Sequence, residues 1–503
     1  MLTFFKKNQF GFLLAFQIIS AYLILLTNPF EYFSLDHIAY THITREIGNG
    51  NFQAFFNLTW SGFTSLMGAI FYKLGIDILF CNALVQFIFT ILSLYVINNM
   101  CFQKCNDSPT KYLYIAIFTL LILTISICTT DIVFLFWSIL VVQEFFRYIS
   151  NTSSNYGLFK LLLFSLLSGI SRPIGFYLFA IVFLLYLVYL IVNRSKLLKS
   201  WTLMTLLFLL ITGIWATILG SKNNTQPTLG WAGKYSFSII SPKLSPTIHY
   251  NMEDKWKALA EVYHGHLQYN ENNPTKINNQ WKWVDIASNV GKSIEPWPKT
   301  WTKADIIFMV KYTISNIYVF IKDYLFWVFC IFLLALNFKN ERVFWGITIT
   351  TIYISFYFIT HLENRYLIPG FIFFLLTLIH VQKQQLRIFN IKQILLILIL
   401  SSSTMIILTA PKIIINLAKH PLPYKPVITK QHFDIKGNYI AQNNYVAYLI
   451  INNPDLNYLG TLKENQDLES IKDSTLYYAY MENDSAKLIP IKEAKSSNFV
   501  MKN

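Results

Sequence analysis

Four short polar turns carry the residues best able to do chemistry. Asp36 stands in Ser34-Leu35-Asp36-His37, with Tyr40 one turn further on, and Asp131 follows Thr129-Thr130. Arg172 sits between Ser171 and Pro173, while His361, Glu363, Arg365 and Tyr366 share one segment ending at Pro369. Each group abuts a long apolar run. An ionisable side chain at the edge of hydrocarbon is costly unless it faces a cavity or a partner. Guanidinium groups suit bidentate contact with phosphate, and a carboxylate can take a proton from an incoming hydroxyl. Together the turns suit transfer of a group from a phosphate leaving group to a hydroxyl. Plainer roles exist for each: Asp131 and Arg172 as helix-end residues, Asp131 in a favourable dipole position, Glu363 and Arg365 as a structural ion pair, and Asp36 as a solvated cap.

The elements that must position these turns are membrane helices. Of 503 residues, 54% are hydrophobic, 17% aromatic and 13% charged, against roughly 25% charged in an ordinary soluble protein. Charge-poor apolar runs recur at lengths that suit a bilayer core of ~30 Å. We read eleven spans, at roughly 10–30, 81–100, 112–130, 132–146, 158–171, 173–192, 200–220, 317–338, 343–360, 366–382 and 393–411. The fold expected is an α-helical polytopic membrane protein with outer loops and a small C-terminal α/β domain.

The net charge of +15 comes with no basic stripe or RNA-binding signature, so nucleic acid is excluded as a partner. Much of it lies in short loops: Lys6 and Lys7, Lys104 and Lys111, Arg147, then Arg194, Lys196 and Lys199, Lys339 and Arg342, and Lys383, Arg387 and Lys392. These alternate with the other loops, which places the N-terminus in the cytoplasm and the C-terminus outside. The first run follows Lys6 and Lys7 but has no small-residue cleavage site, so it reads as a retained helix. Cys81, Cys101, Cys105, Cys128 and Cys330 lie in or beside apolar runs, which excludes a disulfide-rich ectodomain. Cys101 and Cys105 lack a second ligand pair nearby, and His264 and His266 lack a third ligand.

The expected domains are 1–411, the membrane domain, and 412–503, outside the membrane. Three polar regions fall on the outer side. Residues 31–80 form a first loop whose stretch 61–72 is too short to span and reads as an interfacial helix. Residues 221–316 form a long loop ending in Glu295-Pro-Trp-Pro-Lys-Thr-Trp301, an aromatic anchor. Residues 412–503 hold strand-like runs at 457–460 and 475–481, with an acidic helix-compatible stretch between them.

Asp36 with Tyr40, the Gly48/Gly50 turn, Trp60 and Leu74-Gly75 resemble the first outer loop of the GT-C superfamily. These membrane glycosyltransferases use polyprenyl-phosphate sugars, such as protein O-mannosyltransferases and the aminoarabinose transferase of lipid A. Thr130-Asp131, Gly169-Ile-Ser-Arg172-Pro-Ile-Gly175 and Glu363-Asn-Arg365-Tyr366-Leu-Ile-Pro369 resemble its later outer turns, in order, over residues 1–220 and 310–410. The sequence departs from the family in having Asp36-His37 where many members carry Asp-Glu, and in having Thr59-Trp60-Ser-Gly62 in place of a Pro-rich approach.

The resemblance implies a polyprenyl-phosphate-linked sugar donor and an envelope acceptor: lipid A or lipopolysaccharide, another glycan, or protein. The site would face outward from the cytoplasmic membrane. Asp36 would be the general base of an inverting displacement. Arg172 and Arg365, with Lys73, would hold the lipid phosphate, and Glu363 would orient Arg365. Tyr40, His361 and Tyr366 complete the orienting and acceptor-side set. Asp131 is grouped with the catalytic carboxylates, with acceptor binding, cation binding and helix capping all open. The resemblance names no particular cofactor, and a divalent cation is left open. An envelope polysaccharide polymerase or ligase would also explain the long outer loop, but not Asp36. A transporter or flippase would carry repeats and broken or charged mid-membrane segments.

Overall fold

The computed structural model describes residues 8–27, 35–57, 61–105, 108–125, 131–150, 155–223, 226–230, 303–336, 339–359, 364–382, 391 and 393–398. Towards the C-terminus it describes 433, 435–442, 446, 450, 453, 455–461, 468, 471, 475–482 and 485–496. The chain divides into two compact units. The described residues of 1–28, 83–230 and 306–418 form one, and those of 29–82, 231–305 and 419–503 belong to the other.

The first unit is helical. Its elements are α1 (Gln9–Thr27), the larger part of α4 (Ile78–Lys104), α5 (Ser108–Ile125), α6 (Asp131–Ile149), α7 (Asn155–Ser171), α8 (Ile174–Val192) and α9 (Leu198–Lys222). They continue with α10 (Lys303–Asp323), α11 (Leu325–Ala335), α12 (Glu341–Ile359) and α13 (Asn364–Val381). Five described helices, in α4, α6, α8, α9 and α12, are long and apolar enough to cross a membrane. Shorter apolar helices lie in α1, α5, α7 and α13. This is an α-helical membrane protein. Among the described residues these lengths support five crossings, or six if the bent pair α10–α11 is one span, not the eleven expected; the other expected runs fall on shorter apolar helices, and most of 393–411 lies outside the described residues.

One expected span takes a different form. Residues 317–338 are not a straight crossing: α10 and α11 bend by 94° at Tyr324. Lys322 and Asp323, both exposed, immediately precede the bend, and a charged pair inside an apolar run is costly in hydrocarbon. Tyr312, Asn316, Phe320 and Tyr324, spaced four apart, keep one face of α10 buried. Asn316 Nδ2 donates to Phe358 O at 2.9 Å. Past the bend, Trp327 stacks on Phe371 at 4.2 Å.

Burial ranks the crossings. The apolar window of α6 is 83% buried and that of α9 only 28%, so α6 is central and α9 peripheral. Without a hydrophobic drive between helices in lipid, polar contacts and small residues must specify the packing. Gln17 on α1 provides one such clamp: its Nε2 donates to Thr119 Oγ1 at 2.6 Å, and Asn98 Nδ2 donates to Gln17 Oε1 at 2.6 Å.

The second unit joins the first polar loop to the C-terminal region. It holds α2 (Leu35–Gly48), a 3₁₀ turn (Phe52–Phe56) and α3 (Gly62–Lys73), which covers the stretch expected as an interfacial helix. Strands β1 (Gly437–Ala441), β2 (Leu456–Thr461), β3 (Tyr477–Glu482) and β4 (Ser485–Pro490) follow, then α14 (Ile491–Ser496). The sheet runs β2-β1-β3-β4. β1 is parallel to both neighbours, with Gly437 opposite Leu456 and Tyr439 opposite Tyr477, while β3 and β4 are antiparallel. The α/β character expected from the sequence is therefore present, and β1 and β4 are additional to the two expected strands.

Side chains alternate across a strand, and both faces of this sheet are covered. Tyr439, Ala441 and Ala479 share a core with Tyr40, Ile43 and Ile47 of α2. Ile440, Tyr478 and Tyr480 pack on the other face with Ile491 and Ala494 of α14. The stripe Tyr40, Ile43 and Ile47 on an otherwise polar helix is thus explained by the sheet it meets. α3 lies close against α2, because Gly68 stands where a Cβ would come within 2.7 Å of Asn82 Oδ1 and 3.1 Å of Thr44.

Candidate functional site

Asp131 is the first residue of α6, where the helix dipole favours a carboxylate. It is 3% exposed. Arg172 occupies the turn between α7 and α8, and local packing makes that turn tight. Arg172 N–H donates to Ser168 O at 2.9 Å, and Gly175 N–H donates to Arg172 O at 2.9 Å. A Cβ at Gly175 would sit 2.7 Å from Ser168 Oγ, and one at Gly169 would meet the Phe176 ring at 2.3 Å. Glycine is needed at both. Ser138 and Ser168 approach to 2.9 Å between their hydroxyls, which fixes α7 against α6 two turns beyond Asp131.

That register brings the end of α7 to the start of α6, where Arg172 pairs with Asp131. Their side chains are 22% and 4% exposed respectively, so the carboxylate is nearly buried while the Arg172 side chain keeps part of its surface exposed. The Arg172 Cζ lies 4.7 Å over the ring of Tyr366 on α13, a cation–π contact. Tyr366 in turn stacks on Tyr357 of α12, with centroids 4.9 Å apart and planes 11° apart. The hydroxyls of Tyr357 and Tyr353 are 3.4 Å apart, and Tyr353 stacks on Phe134 of α6 at 6.0 Å. The contacts close a circuit from α6 through the α7–α8 turn, α13 and α12 back to α6. Chemically, it is a guanidinium fixed in direction by a buried carboxylate and an aromatic face, with part of its surface open.

Of the residues singled out in the sequence, Asp131, Arg172 and Tyr366 are brought together. Arg365 lies beside Tyr366 in the first turn of α13; its side chain, and the whole of His361 and Glu363, lie outside the described residues. Asp36, Tyr40 and Lys73 belong to the second unit. Asp36 is the second residue of α2, with its side chain outside the described set. Tyr40 is 6% exposed within the core shared with the sheet, and its carbonyl accepts from Thr44 Oγ1 at 2.7 Å. Lys73 is exposed in the last turn of α3.

The 231–302 segment, with His264, His266 and the Trp-rich anchor, also lies outside the described residues. Among the described residues no group of three or more His, Cys, Asp or Glu could hold a metal ion. Cys101 is buried in α4 and Cys105 just past its end, and the Cys105 thiol donates to Gln382 Oε1 at 2.8 Å. The sequence reading missed Tyr353, Tyr357 and Phe134. The four-residue spacing of the two tyrosines, on one helix face near the Arg365 turn, was the available signal. The chain matches no protein-family model and no curated protein.

Proposed function

We propose that this protein is an integral membrane glycosyltransferase that moves a sugar from a polyprenyl-phosphate donor to a hydroxyl of an envelope acceptor. The active site would face outward from the cytoplasmic membrane, within eleven spans that begin in the cytoplasm and end outside. The observation that carries the reading is the Arg172 guanidinium held by buried Asp131 over Tyr366. Oriented guanidinium groups bind phosphate with defined geometry. A cation fixed before reaction stabilises charge that develops on a leaving phosphate.

The acceptor oxygen attacks the anomeric carbon as the bond from that carbon to the phosphate oxygen breaks. The bonding pair leaves with the phosphate, where Arg172 and Arg365 receive the charge. Asp36 takes the proton of the acceptor hydroxyl, and the anomeric configuration inverts. Asp131 is assigned here as the positioning residue for Arg172, because its carboxylate is engaged with that guanidinium; Asp36 as the base is what the resemblance to the GT-C superfamily implies.

Incubating the purified protein with polyprenyl-phosphate sugars and envelope lipid extracts, followed by mass spectrometry, tests this reading. The wild type should form a product one sugar heavier than an acceptor lipid. Asp36→Asn should retain donor binding while turnover falls by ~10²–10⁴-fold. Unchanged turnover in Asp36→Asn would remove Asp36 as base, and absence of any glycosylated product from wild type would overturn the transferase reading.

A further inference from the structure

α6 and α13, whose first turns meet Arg172, carry a second polar constellation at their other ends. His380, one residue before the end of α13, is 7% exposed and its Nε2 has no hydrogen-bond partner. Nδ1 lies 2.9 Å from Leu376 O, so Nδ1 carries the hydrogen and Nε2 is left as a buried acceptor. The ring stacks on Phe146 at 4.5 Å, beside Arg147. Arg342 donates to His380 O at 3.3 Å. Cys105 meets Gln382, which brings the end of α4, with Lys104, to the same place. These contacts place Arg342, Arg147 and Lys104 at the same end of the bundle as His380. Glu144 pairs with Arg147 at 2.5 Å.

Cations from three helices thus surround a ring whose buried nitrogen seeks a donor. A plain anion has no hydrogen to donate to Nε2, and a neutral alcohol carries no charge for the cations to attract. We infer that the His380 end of the bundle binds a phosphate ester that also carries a hydroxyl. The phosphate oxygens would lie against Lys104, Arg147 and Arg342, and the hydroxyl would donate to His380 Nε2. A glycerol-type phospholipid headgroup and a soluble phosphate monoester both have this chemistry. The site is separate from Arg172, and its assignment does not depend on the transferase reading.

Native mass spectrometry of the full chain in detergent can compare phosphatidylglycerol with phosphatidylmethanol, which has the same charge and no hydroxyl. Wild type should retain phosphatidylglycerol about fivefold more tightly, the worth of one net hydrogen bond. Lys104→Gln with Arg342→Gln should weaken both lipids, and His380→Phe, which can still stack on Phe146, should erase only the preference. Glycerol 3-phosphate identifies the source: displacement of the lipid assigns a soluble ester, and retention assigns a headgroup. Equal retention of the two lipids by wild type, with no displacement, would overturn the inference without reference to any variant.

Discussion

Arg172→Ala, Asp131→Asn and the double variant form a cycle that isolates the ion pair from its surroundings. The two single variants should not cost the same, because the Asp131 side chain is 4% exposed and that of Arg172 is 22% exposed. Removing Arg172 leaves a nearly dry carboxylate without its counter-charge. Breaking a buried pair from one side costs about 3–5 kcal/mol, and the dipole at the start of α6 offsets about 0.5 kcal/mol of that. A loss of about 3 kcal/mol is expected. Neutralising Asp131 instead leaves a partly exposed arginine whose guanidinium keeps its place 4.7 Å over Tyr366. That contact retains about 1 kcal/mol, so Asp131→Asn should cost only about 1–2 kcal/mol. The double variant strands no charge and should lose about 2 kcal/mol, which gives a coupling of about 2–3 kcal/mol. Thermal unfolding of the four purified proteins in one detergent provides the ranking. Equal losses from the two single variants, or a double variant equal to their sum, would show that the pair is solvated and does not hold Arg172 in place.

Two further outcomes follow from buried polar groups elsewhere. Gln17→Leu should destabilise the helical unit by about 1–2 kcal/mol, since it strands Asn98 and Thr119 among α1, α4 and α5; Gln17→Leu with Asn98→Leu should recover part of this in detergent unfolding, and no change in either would make the clamp energetically silent. Glu46, 2% exposed on α2, has its carboxyl raised above the ordinary value by burial, with Arg45 opposing more weakly. The folded state therefore holds the Glu46 proton more tightly than the unfolded state. Its contribution is fully present below the ordinary carboxyl pKa and is lost as pH rises through the folded value. Hydrogen-exchange protection at Tyr439–Ala441, corrected for intrinsic rates, should weaken over that rise in wild type and stay flat in Glu46→Gln; matching profiles would refute the assignment.

The membrane helices were legible because a bilayer imposes a length and an absence of charge that any stretch of sequence displays locally. The break at Tyr324 was not, since Lys322 and Asp323 sit near one end of an apolar run and only packing against α12 and α13 decides which face stays covered. In the C-terminal region, the runs around Tyr458 and Tyr478 announced strands, whereas β1 needed both of its neighbours to become a strand at all. The types of the site residues, and their place at the ends of spans, were likewise written in the sequence. Which carboxylate meets which cation was not: Asp131 and Arg172 stand 41 positions apart, and their pairing depends on Ser138 meeting Ser168 and on glycines at 169 and 175. Local patterns report what each segment can bury. Only the tertiary structure decides what it is buried against, because that choice is made by distant surfaces whose fit no single segment encodes.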